Sequence, residues 1–288
     1  MYPVFLSDAE RTFIWDGVEV NLRCDGRKRS DYRPMELETD VVTHANGSAR
    51  LRLANTDILV GVKTEIDVPL AESPNMGKIE FFVDCSANAT PAFEGRGGED
   101  LANEICSTLL KSYNILPLEE LCIVPEFSCW KLYVDILILE CGGNLYDAVS
   151  LAVKAALHNL RIPRVTGKYI DGANVDLQLS DDLFDCWKID VSKAPCLVTL
   201  CKIGEFLIVD PTVEEEACSS GSIVVSVTEK GLLTGIVKIG EGSFHQKAIC
   251  EAVKLACSIG IKLNETIGSS LKLEEDLASH KDRCGFLK

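Results

Sequence analysis

The chain has 288 residues, 47% hydrophobic and 25% charged, with a formal charge of −15. That acidic balance excludes a free-standing nucleic-acid binder with a net basic face: the chain either avoids nucleic acid or meets it only at a local basic patch completed by partner subunits. No apolar run reaches the roughly 20 residues of a membrane-spanning helix, so no membrane contact is expected. The first ten residues, with Asp8 and Glu10, lack the pattern of a secretory leader.

Ser7 followed by Glu10 predicts a capped helix that Gly17 stops. A basic stretch, Arg23 to Arg33, follows, in which Arg23, Arg27, Lys28, Arg29 and Arg33 alternate with Asp25 and Asp31. It can be a phosphate-contacting patch, a nuclear address or a salt-bridged structural loop. Ser48 to Leu53 and Ile58 to Ile66 predict a hairpin turned at Asn55-Thr56-Asp57. A strand from Ile79 to Cys85, the loop AFEGRGGED and a helix from Glu99 to Lys111 come next. An apolar strand, Leu132 to Leu139, then enters Gly142-Gly143 and an Ala-rich helix that Pro163 ends.

A polar stretch, Thr166 to Leu183, reads as a surface loop. The second half repeats the pattern: one hairpin over Cys196–Lys202 and Phe206–Val209, another over Ile223–Thr228 and Leu232–Ile239, and a helix from Ser243 to Glu265 with Ile249, Val253, Ala256 and Gly260 on one face. The tail from Gly268 is charged and has no assignable role. Hairpins followed by helices, twice over, imply an α+β fold with two pseudo-symmetric β-α halves. The divisions expected are 1–30, 31–165, 166–267 and 268–288.

The thirteen cysteines are odd in number and form no C-x-x-C; Cys196, Cys201 and Cys257 lie in apolar runs. With four histidines and no H-x-x-x-H, this reads as reduced, buried thiols and no metal site. Trp15, Trp130 and Trp187 read as core or interface anchors.

Leu22-Arg23-Cys24-Asp25-Gly26-Arg27, the hairpin Gly47 to Lys63, FFVDCSANATPAFEGRGGEDLANEI, LECGGNLYDAVSLAVKAAL and IVDPTVEEEACSSGSIVVSVTEKG together resemble the RNase PH family, and within it the ring subunits of the eukaryotic RNA exosome. The likeness runs from Leu6 to about Leu263. It implies an RNase PH-like fold and a six-membered ring of homologous subunits around single-stranded RNA. It also implies S1/KH-type caps, separate nucleases, and a place in nucleus, nucleolus and cytoplasm.

Active members use inorganic phosphate as the nucleophile, and such a reaction needs cations and N–H donors on the phosphate and an acid nearby. Where the family pattern has two glycines, a hydroxyl and an arginine, this chain has Gly142, Gly143, Asn144 and Leu145. A lost charge-assisted hydrogen bond costs about 1.5–3 kcal/mol, and a missing arginine at such a site ~10³-fold in rate. The two acid positions hold Glu216 and Ser222. The run Glu214 to Glu216 also suits a helix start. In EGRGGED the one cation is Arg96; Lys111 at the far end of the same helix is a second RNA-contact candidate. The reading is a ring subunit with no catalytic residue and no cofactor. The competing readings are an active homo-hexameric phosphorolytic RNase and an unrelated small-molecule phosphate binder.

Overall fold

In the computed structural model, residues 5–171, 174–180, 182 and 185–277 are described. Helix α1 (Asp8–Glu19) carries the expected cap: the Ser7 hydroxyl accepts the Glu10 N–H at 3.3 Å and the Glu10 carboxylate accepts the Ser7 N–H at 2.8 Å. It runs past Gly17. That glycine serves the chain's return, because the Leu22 N–H bonds the Gly17 carbonyl at 2.9 Å and a Cβ on Gly17 would meet Leu22 O at 2.8 Å.

The first sheet comprises β1 (Met35–Thr39), β2 (Gly47–Leu53), β3 (Thr56–Asp67), β4 (Lys78–Cys85), β5 (Cys122–Val124) and β6 (Ser128–Glu140). Its order is β1-β2-β3-β6-β4, with β5 on β6; β4 runs parallel to β6 and the other pairs are antiparallel. The β2–β3 turn is tighter than predicted. Leu53 pairs with Thr56 and Arg52 with Asp57, so Ala54, at φ +50°, and Asn55 make the turn alone. A parallel pair needs a crossover, and α2 (Glu99–Tyr113) lies between β4 and β6 in the chain.

Helix α3 (Leu145–His158) is buried at every position from Leu145 to Leu157. A helix buried on all sides belongs inside, and α3 lies between β2–β3 on one side and the second half on the other. Its polar residues face that second half. Ser150 Oγ accepts the Leu197 N–H at 2.9 Å, and Lys154 Nζ donates to Ala194 O at 2.9 Å and to Asn264. Buried polar groups on one face of the helix thus pin the halves together.

Beyond α3 come β7 (Ile162–Pro163), β8 (Val165–Asp171), β9 (Asn174–Leu179) and β10 (Cys186–Trp187). The predicted loop at Thr166 to Leu183 is thus in large part an antiparallel β8–β9 hairpin, with Val165 opposite Leu179; Gly172, Ala173, Asp181 and Leu183 lie outside the described residues. The second sheet has the order β12-β11-β13-β14, from β11 (Cys196–Ile203), β12 (Phe206–Val209), β13 (Gly221–Val227) and β14 (Leu233–Ile239), with the short helix α4 (Val213–Cys218) between β12 and β13.

Helix α5 (Gln246–Leu277) covers one face of this sheet: Ala252, Ala256, Ile259 and Leu263 pack with Val198, Leu200, Ile223 and Val225. The packed face includes Ala256 and Gly260 of the predicted one, while Ile249 is exposed and Val253 half-buried. The helix also continues past Glu265 and through Gly268, because Ile267 and Leu271 bury against the first core. Residues 268–277 therefore belong to α5, and the rest of the predicted tail lies outside the described residues. Cys196 and Cys201 are buried as expected, and Cys257 is half-buried. Trp130 joins the first core, while Trp15 stays half-exposed on α1.

Candidate functional site

Strand β6 delivers Cys141, Gly142 and Gly143 to the start of α3, with Gly143 at φ +93° and Asn144 left-handed at φ +55°. Such a turn can present N–H groups and a helix dipole to an anion. Here several groups of the turn are already engaged. The Gly142 N–H donates to Thr56 Oγ1 at 3.2 Å, and that hydroxyl donates to Gly143 O at 2.7 Å. Arg33 donates from Nη1 to Gly142 O at 2.7 Å and from Nη2 to Gly143 O at 3.0 Å. The Asn144 N–H donates to Glu216 Oε1 at 2.8 Å.

The two glycines have a packing reason of their own. A Cβ on Gly142 would lie 2.6–2.7 Å from Asn55, and one on Gly143 2.7–2.8 Å from the backbone of Pro211, Thr212 and Val213. Gly142→Ala is therefore expected to destabilise the fold by about 1–3 kcal/mol through overpacking against backbone. A melting temperature within 1 °C of the parent would contradict the close approach.

Asp210 is the hub. It follows β12 at φ +49°, and its side chain is fully buried. Its carboxylate accepts from Arg33 N, Nε and Nη2 at 2.8–2.9 Å, from Arg27 Nη1 at 3.0 Å and from Asn144 Nδ2 at 2.8 Å. Beside it, Arg23 grips both carboxylate oxygens of Glu215 and the carbonyls of Val209 and Asp210. Glu215 in turn completes a capping box with Thr212 at the start of α4. Arg29 stacks over Phe206 with its guanidinium 4.3 Å from the ring centroid. The basic stretch thus resolves into a structural clamp: Arg23, Arg27 and Arg33 are drawn inward by Asp210 and Glu215.

Asp147 extends the cluster into α3. Its carboxylate accepts from Thr199 Oγ1 and Tyr32 Oη at 2.7 Å and from Asn144 Nδ2 at 3.0 Å. Burial pushes Asp147 up to about 7 despite those donors, and pushes Tyr32 well above its ordinary value. Burial likewise pushes Glu216 up to about 7, against the Asn144 N–H and Arg33.

The structure brings Gly142, Gly143, Asn144 and Glu216 together. It leaves Leu145 as a core residue, 3% exposed, with no polar atom to offer. Ser222 bonds Cys201 Sγ at 2.9 Å and makes no hydrogen bond to the turn. Arg96 and Lys111 stand at opposite ends of α2, ~20 Å apart by the helix rise. Arg96 is 90% exposed and rests 3.5 Å from Glu99, and Lys111 is exposed on the last turn. Arg33 was read only as part of the basic stretch, and the roles of Asp210, Tyr32, Asp147 and Thr199 escaped the sequence reading. The available signals were an aspartate directly after an apolar strand at Asp210 and a lone acid on an apolar helix at Asp147.

Residues 31–163 match the model of the 3′ exoribonuclease family, domain 1, and residues 193–259 that of domain 2. The chain belongs to the RNase PH family of 3′ exoribonucleases. Among family relatives, an RRP42-named chain of Dictyostelium discoideum is 32% identical, over 93% of this chain and 98% of that one. The exosome complex component Rrp42 of Methanopyrus kandleri is 31% identical over 92% and 98%. Among solved structures, a chain of the Archaeoglobus fulgidus exosome, described with RNA bound to the active site, superposes with a TM-score of 0.79 at 26% identity, covering 90% of this chain and 98% of that one. The RNase PH-like α+β fold expected from the sequence is therefore the fold observed.

Proposed function

We propose that this chain is a non-catalytic ring subunit of an RNA exosome, which shapes the channel for single-stranded RNA while separate nucleases cut. The observation that carries the reading is the state of the cations at the glycine turn. Each guanidinium nitrogen of Arg33 already donates to Asp210 or to a glycine carbonyl, and the adjacent position is the buried Leu145. A phosphate nucleophile and its developing charge would meet guanidinium groups already paired with Asp210, those of Arg33 and Arg27, and phosphoryl transfer depends on such charges.

Assembly into a ring with homologous RNase PH-like subunits is supported by the Rrp42 relatives and the exosome neighbours; the ring would be six-membered and would carry S1/KH-type caps. Its places of action would be nucleus, nucleolus and cytoplasm, and its work ribosomal RNA maturation and RNA turnover. Arg96 and Lys111 are its candidate RNA contacts; both side chains are exposed and leave the buried cluster untouched. The exposed apolar groups of the second-sheet edge, Leu233 and Ile236 on β14, and of α1, Phe13 and Trp15, suit burial against ring neighbours. Purification of the tagged chain from its own cells, followed by native mass measurement, tests this. Recovery with several different RNase PH-like chains is the expected result, and recovery as six copies of itself would return the enzyme reading.

A further inference from the structure

We propose that the Glu216 carboxylate is a built-in anion, occupying the seat that a phosphate would take at the glycine turn. This rests on the non-catalytic reading and explains what fills the site instead of substrate. The N–H of Asn144, the residue that opens α3, points at Glu216 Oε1 at 2.8 Å, so the first donor at the positive end of this helix already holds a carboxylate oxygen. A second N–H of the turn, that of Gly142, is held by Thr56. Close packing of Pro211–Val213 on Gly143 brings α4, which carries Glu216, down over the turn.

Two acceptors remain without a donor there. Glu216 Oε2 and Asn144 Oδ1 are both buried and unpaired, and Asn144 is only 1% exposed. The seat is filled and acceptor-rich, so phosphate gains entry only when the Glu216 side chain is removed or displaced from the Asn144 N–H. The charged and titratable groups facing Glu216 are Arg33 from the opening loop, Asp210 after β12, Asp147 and Tyr146 on α3, Cys141 at the turn and Cys201 on β11. Of these only Arg33 is cationic, and it is bound to Asp210.

The test is made on the full chain with inorganic phosphate as probe. In the wild type, the assigned Asn144 amide resonance is expected to shift as the Glu216 carboxyl ionises, and the shift should vanish in Glu216→Gln, which separates it from titration of Asp147. Wild type and Glu216→Gln should not bind phosphate at the turn. In Glu216→Gln the amide oxygen still takes the Asn144 N–H. Glu216→Ala should bind phosphate at least about tenfold more tightly than wild type, the worth of one charge-assisted hydrogen bond regained. An Asn144 amide that does not respond in the wild type overturns the proposal without any variant having to fold. So does a folded Glu216→Ala protein that binds phosphate no better than the parent. Phosphate-dependent RNA cleavage by the wild type would instead sink the non-catalytic reading, whatever the amide does.

Discussion

Asp210→Ala should lower the free energy of unfolding by about 3–5 kcal/mol, the largest loss expected of any single change at the site. The side chain is fully enclosed and answers Arg27, Arg33 and Asn144 together. Removing one partner of a buried ion pair leaves the other charge desolvated and unmatched, which costs more than the pair itself contributes. Arg33 would then keep its bonds to the Gly142 and Gly143 carbonyls and lose the carboxylate that orients it. Because Asp210 joins the opening loop, the β6–α3 turn and the end of β12, the loss falls on the junction of both halves. Equilibrium denaturation with guanidinium reads the effect, with Arg96→Ala as a surface control expected within about 0.5 kcal/mol of the parent. A loss under 1 kcal/mol for Asp210→Ala would show that the clamp does not hold the halves.

Stability should fall as pH rises from about 4.5 to 7. Glu216 titrates near its ordinary 4.5 when unfolded and about 7 when folded, so in that window the folded chain holds more protons than the unfolded one. Its contribution is intact below 4.5, is lost progressively as pH rises to about 7 and is flat above. At 1.36 kcal/mol per pKa unit the loss is of order 3 kcal/mol for Glu216 alone. Asp147, raised by burial to about 7, acts in the same direction.

The charge tally of the cluster agrees: Asp147, Asp210, Glu215 and Glu216 face Arg23, Arg27 and Arg33, so one carboxyl proton balances it. His158, lowered by burial, works the other way near its own titration. Carboxylates held low by partners, such as Asp57 with Arg50, matter only at more acid pH. Subtraction isolates Glu216: Glu216→Gln has no proton to lose and can donate from its amide toward the unpaired Asn144 Oδ1, so its stability relative to the parent should grow from pH 5 to pH 8. A constant difference across that range would contradict the buried carboxyl.

The sequence made the α3 core helix plain, because a strand ending in two glycines and an Ala-rich segment leaves little choice, and the hairpins on either side followed from alternation. What it concealed has specific causes. Arg33 and Asp210 stand 177 positions apart, and nothing local ties an arginine in a basic stretch to an aspartate after a distant strand. The β8–β9 hairpin was masked by its Asp and Gly content, although Val175, Leu177 and Leu179 alternate with Asp176 and Gln178. Gly268 looked like a helix end, yet Ile267 and Leu271 find the first core, and tertiary packing outweighs one glycine. That Leu145 offers no cation and Ser222 no carboxylate was legible in the sequence. That Glu216 turns its carboxylate to the glycine turn was not, since only the fold lays α4 across the start of α3.

The most direct measurement is release of nucleoside diphosphates from single-stranded RNA by the purified chain with inorganic phosphate, repeated in an assembled ring whose other RNase PH-like subunits carry inactivating substitutions. No phosphate-dependent product from either preparation is the predicted result. Phosphate-dependent shortening of the RNA from its 3′ end would contradict it and would make this chain an enzyme.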